Sequence, residues 1–129
     1  MNLKVVGGAV LALVVSFGIG WLSGASGRAT AEQEYAKSDE RAQFAEVRSL
    51  ILDGRVSLFL VNFGDASRRF EEARGLVEKI QMRLREAGQA ERAGRLEIAL
   101  SHLRDAQRLA ASLDSSAQNA AAEALKVLQ

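Results

Sequence analysis

The sequence contains no cysteine and no proline, and only one histidine, one tryptophan and one tyrosine among its 129 residues. Without thiols there is no disulfide framework and no cysteine-ligated zinc or iron–sulfur centre. A second histidine is missing, so the His-Glu-x-x-His zinc motif is excluded outright, and neither a Walker-type phosphate loop nor a Gly-x-Ser-x-Gly elbow occurs. The length leaves room for one small domain and excludes a multidomain enzyme. Acidic residues are absent from the beginning of the chain, the first being Glu32.

A basic excess is also lacking. From Arg28 onward sixteen Lys and Arg face sixteen Asp and Glu, so no surplus is available to displace counterions from a phosphate backbone. Nucleic acid is not expected as a partner. Glu71-Glu72 and Glu32-x-Glu34 lie among Arg68, Arg69, Arg74 and Lys37 in the manner of solvated helix faces. His102 and Asp105 can share a helix face, but two ligands do not make a metal site, and an ordinary surface histidine is the better reading. Arg83 with Arg85, and Arg92 with Arg95, form at most a local patch; an i,i+4 pair between Glu91 and Arg95 is preferred. The sequence therefore offers no catalytic, cofactor-binding or metal-ligating residue, and neither an enzymatic activity, a cofactor nor a small-molecule substrate is expected.

What is present first is a long apolar run. Val5 to Leu22 carries no charge, and at ~1.5 Å per residue it comes close to the length of a hydrocarbon core. Extended through Ala25 it predicts a transmembrane helix, with Trp21 near one headgroup level and Lys4 at the other end. Residues 1–24 read as a membrane anchor and 25–31 as a short Gly/Ser/Ala linker. A cleaved signal is the competing reading, with Ala29-Thr30-Ala31 as a small-x-small cleavage site; the run is longer than a usual signal core. Lys and Arg counts place the C-terminal part inside, whereas the short n-region and signal-like core favour its export; the latter is preferred, which puts the domain on the periplasmic side of a bacterial inner membrane. Gly8, Ala12, Ser16, Gly20 and Gly24 recur every fourth position, a stripe that lets transmembrane helices approach closely, by self-association or in a larger complex.

Residues 32–129 can all be helix. Tyr35, Ala42 and Ala45 give a thin apolar face to residues 32–46. The segment 50–61 contains Asp53-Gly54 between apolar runs, a hairpin signal, but Leu52, Val56, Phe59 and Phe63 at helical steps favour helix. Asp65 is a candidate N-cap for a helix whose stripe is Ala66, Phe70, Ala73, Val77, Ile80 and Leu84, with Gly88 as its stop. Gly94 then reads as a turn before a second stripe of Leu96, Ala99, Leu103, Ala106, Ala110 and Leu113. Ser115-x-x-Gln118 reads as a capping box for a last helix carrying Ala117, Ala121, Leu125 and Leu128.

A shift of 33 residues superimposes Ala66, Phe70 and Ala73 on Ala99, Leu103 and Ala106. A period near 34 marks stacked helix pairs. In these residues the sequence resembles tetratricopeptide repeats, in which small residues let paired helices approach while a larger one fills the groove. The resemblance implies pairs at about 47–79 and 80–112, a capping helix at 114–128, and a concave groove for a partner segment. Its departures are the missing proline, the missing aromatic in each first helix and Phe59 falling opposite Arg92. One long helix from Ala66 to Ala87 in a plain antiparallel bundle is the alternative.

The expectation is thus an all-α chain: one N-terminal transmembrane helix followed by a small domain of helical hairpins. Its function would be non-catalytic, a scaffold or accessory subunit that binds another protein beside the lipid bilayer. Alternatively the anchor itself is the structural element, driving assembly with copies of itself or with a larger membrane complex.

Overall fold

A computed structural model describes the side chains of residues 27–129. Its helices are α1 (Leu3–Phe59), α2 (Phe63–Glu86), α3 (Ala90–Ala111) and α4 (Ala117–Val127), and among the described residues there is no strand. The all-α class is therefore the one adopted. The chain divides into two compact units, Met1–Asp39 and Glu40–Gln129. The apolar run, and with it the face made by Gly8, Ala12, Ser16, Gly20 and Gly24, lies outside the described residues. Among the described residues no helix is long and apolar enough to cross a membrane.

In the first unit residues 27–39 are helical and exposed, with Tyr35 at 76%. Residues 27–31, part of the stretch 25–31 expected as a linker, are helical and belong to α1. Ala29 and Ala31 are the strongest kind of helix former, and Gly27 alone costs only about 1 kcal/mol against them.

The second unit is an antiparallel four-helix bundle built from the end of α1 with α2, α3 and α4. Ser57 Oγ donates to Asp65 Oδ2 at 2.6 Å where α1 turns into α2. Ser67 Oγ donates to the Gln107 carbonyl at 3.4 Å, and Gln81 Nε2 to the Ala93 carbonyl at 3.0 Å, so α3 descends as α2 rises. Arg55 Nε donates to Gln118 Oε1 at 3.0 Å and Arg48 to the Leu128 carbonyl at 3.2 Å, which closes α4 back onto α1.

In α1, in α2 and in α4 with its C-cap Leu128, the buried stripe runs at alternating steps of three and four. In α1 it is Val47, Ile51, Gly54 and Leu58; in α2 it is Ala66, Phe70, Ala73, Val77, Ile80 and Leu84. In α4 it is Ala117, Ala121, Ala124 and Leu128. A period of ~3.5 keeps a seam facing its neighbours in the geometry of left-handed bundles. Nine of the 21 buried apolar side chains are alanine, so the helices meet at close range and the few large side chains fill what space remains.

The six residues of the repeat likeness, Ala66, Phe70, Ala73, Ala99, Leu103 and Ala106, all lie fully buried in this seam. The unit boundary expected at 79 and 80 falls inside α2, and Gly94, expected at a turn, falls inside α3. Nothing in these helix boundaries identifies a tetratricopeptide repeat. The internal likeness also ends in the loops, because Ile80 is buried while its counterpart Leu113 is 70% exposed.

Three local expectations are corrected by what the side chains do. Asn62, not Asp65, is the N-cap of α2, its side chain accepting from the Asp65 amide at 3.3 Å. Gln118 does not fold back on Ser115; it clamps α1, accepting from Arg55 and donating from Nε2 to the Arg55 carbonyl at 2.8 Å. Tyr35, Ala42 and Ala45 do not form a buried face. A Cβ added at Gly75, inside α2, would meet nothing within 4 Å. Gly75→Ala is therefore expected to raise stability by about 0.5–1 kcal/mol through backbone entropy and helix propensity, read as a higher urea midpoint.

Candidate functional site

The segment 47–63 carries two apolar stripes, and only one can face the core. The bundle buries Val47, Ile51 and Leu58, so the second stripe, on which the sequence reading rested, is turned outward: Leu52 is 49% exposed, Val56 58% and Phe59 83%. Leu60 and Val61 continue it into the turn, and both are more than two-thirds exposed. The loop after α3 stands at the same end of the bundle and adds Leu113. This end, the tip, is opposite the one at which the chain enters the bundle at Glu40.

The backbone of the tip carries a second signal. The three helix-to-helix turns end in the same hydrogen-bond pattern, with one amide reaching back three residues and the next reaching back five. Val61 bonds Leu58 and Asn62 bonds Ser57; Gly88 bonds Arg85 and Gln89 bonds Leu84; Leu113 bonds Ala110 and Asp114 bonds Leu109. In such a Schellman ending the first of the two residues takes the left-handed conformation, a position where glycine is usual. The turn away from the tip obeys this with Gly88 at φ 74°. The two turns at the tip hold Val61 at φ 59° and Leu113 at φ 60°. A side chain there costs about 1–2 kcal/mol, and a β-branched one is a true outlier. Neither side chain recovers that cost by burial.

Polar groups fix the two corners. Asp65 is held below its ordinary value of 3.8 by the hydrogen bond from Ser57 and then by the one from Arg68. Asp114 is lowered likewise by the Ser116 hydroxyl, at 2.7 Å, and by the Ser116 amide, at 2.8 Å. A carboxylate whose folded pKa lies under its unfolded one gives stability that is complete above the unfolded value and lost as pH falls through the folded value. Stability is thus expected to fall as pH drops from 3.8, and Asp65→Asn with Asp114→Asn should flatten that acid limb in urea titrations repeated across pH.

Among the described residues no group of three or more His, Cys, Asp and Glu comes together. Asp105 accepts from Arg108 at 3.3 Å rather than serving His102. Glu91 and Arg95 make the i,i+4 pair expected of them, at 2.6 Å. Periodicity alone ranks the two apolar stripes of this segment equally, and so does not tell that Leu52, Val56 and Phe59 face outward. The signal that separates them is Gly54, which marks the side where another element comes close. No known protein family, curated protein or solved structure matches this chain.

Proposed function

We propose that this chain is a non-catalytic, single-pass membrane protein whose bundle binds another protein, as a scaffold or accessory subunit of a bacterial inner-membrane or envelope complex, with the bundle on the periplasmic side. The observation that carries this reading is the tip: exposed Phe59, Leu60, Val61 and Leu113, two of them held in a backbone conformation that glycine would occupy at lower cost. Strain retained at surface positions, together with large apolar side chains exposed at one end of the bundle, supports a contact surface. The anchor rests on the uncharged run from Val5 to Leu22.

A photo-crosslinking amino acid at Leu60 in the full chain, expressed in its native host, should yield one discrete adduct, and the same probe at exposed Arg104 should yield none. Phe59→Glu with Leu113→Glu should lower that adduct at least tenfold while leaving the circular dichroism unchanged. Equal adducts from both positions, or none from Leu60, would overturn the reading. Val61→Gly and Leu113→Gly should each stabilise the fold by about 0.5–1 kcal/mol, the relieved strain less the added chain entropy of glycine, yet weaken the adduct. The anchor is checked separately: the chain should stay in the membrane pellet after alkaline carbonate and keep the intact mass of residues 1–129.

A second reading makes the anchor itself the assembling element, favoured by the four-residue spacing of Gly8, Ala12, Ser16, Gly20 and Gly24. Gly20→Ile with Gly24→Ile should then disperse the assembly, and unchanged association would remove this reading.

A further inference from the structure

We infer that the end of the bundle opposite the tip holds a binding site for a single-chain amphiphile with an anionic head, a fatty carboxylate or an alkyl phosphate. A cavity of about 300 Å³ opens there, where the entry of α1, the end of α2, the start of α3 and the end of α4 converge. Its size is at the lower limit of the ~300–1,000 Å³ typical of small-ligand clefts, enough for a chain and too small for a helix. The site is independent of the tip and of the reading built on it.

Charge and apolarity are segregated within it. Arg41, Arg48, Arg92 and Arg95 line the opening. Arg92 is paired with Glu40 and Arg95 with Glu91, whereas Arg41 and Arg48 make no ion pair with an Asp or Glu side chain among the described residues. Guanidinium forks match carboxylate and phosphate oxygens better than any other side chain does.

A further feature suits such a ligand. The floor is hydrocarbon: Phe44 and Val127 are half-buried, and Leu84 and Leu96 lie at its base. A bare anion would use the rim and leave this floor wet. An acyl or alkyl tail covers it.

The full chain in maltoside micelles, with its methyl groups isotope-labelled, provides the test. Octanoate and octyl phosphate are the two anionic probes, octyltrimethylammonium the cationic control, and inorganic phosphate the control without a tail. One or both anionic probes should shift the Leu84, Leu96 and Val127 methyl resonances saturably, and which of them does so distinguishes a carboxylate from a phosphate head. Arg41→Gln with Arg95→Gln, both exposed positions, should weaken that binding at least tenfold, and Arg95→Lys should retain part of it. Absence of saturation with both anionic probes would overturn the proposal. So would equal shifts from the ammonium probe, unchanged binding in the double variant, or the same response to inorganic phosphate, which would make the floor idle.

Discussion

Phe70→Ala is expected to destabilise the bundle by about 3–5 kcal/mol, at least a fifth of the ~5–15 kcal/mol that holds a domain of this kind together. Phe70 is fully buried and heads the large side chains of a core in which nine of 21 residues are alanine. Its ring lies against α1 at Gly54. Alanines cannot move into the space a ring leaves, because they are short and are fixed to helix backbones, so the cavity stays open and the cost falls at the upper end for such truncations. Urea unfolding followed by circular dichroism measures this directly. Leu52→Ala, at a half-exposed position on α1, is the comparison and should stay within about 0.5 kcal/mol.

The second large effect comes from adding one carbon. A Cβ at Gly54 would stand 2.6 Å from Phe70 Cε1 and 3.0 Å from Cδ1 and Cζ. Inside a helix, glycine to alanine normally gains about 1 kcal/mol, as expected at Gly75. Here the sign reverses. The ring is enclosed, so it can yield only by moving α2 away from α1, and overpacking of this kind costs about 1–3 kcal/mol. Gly54→Ala is expected to lose stability on balance, and Gly54→Val more. Combined with Phe70→Leu, Gly54→Ala should cost markedly less than the two single changes added together, because the shared contact is what couples them. An additive double variant would mean that Gly54 is chosen for another reason.

Much of this was legible in the chain before any fold was drawn. The stripe Ala66, Phe70, Ala73, Val77, Ile80 and Leu84 is the buried stripe of α2, and Gly88 is where α2 stops, since a left-handed ending asks for glycine. Periodicity favours a helix through Asp53-Gly54 over a hairpin, and α1 runs through it. Turn chemistry misled where side chains had competing partners. Gln118 has a capping position in sequence, but Arg55 on α1 offers it a two-way bond that Ser115 cannot match. Gly94 read as punctuation, yet with open space around it a glycine early in a long helix costs too little to end it. The 33-residue likeness captured two parallel sets of buried residues without the helix breaks that stacked pairs need.

Sequence by itself determined the all-helical class, the faces of α2, α3 and α4, and the lack of any thiol or second histidine. These follow from composition and from a spacing that repeats with the helix, and they are local. Tertiary structure alone decided which of two apolar stripes on α1 would be covered, that Val61 and Leu113 would be held where Gly88 has its counterpart, and that four arginines distant in sequence would share one opening. The reason is physical: a stripe records that a face is apolar, but whether water or a neighbouring helix covers it depends on how closely the others approach, and here that distance is set by Gly54 against Phe70.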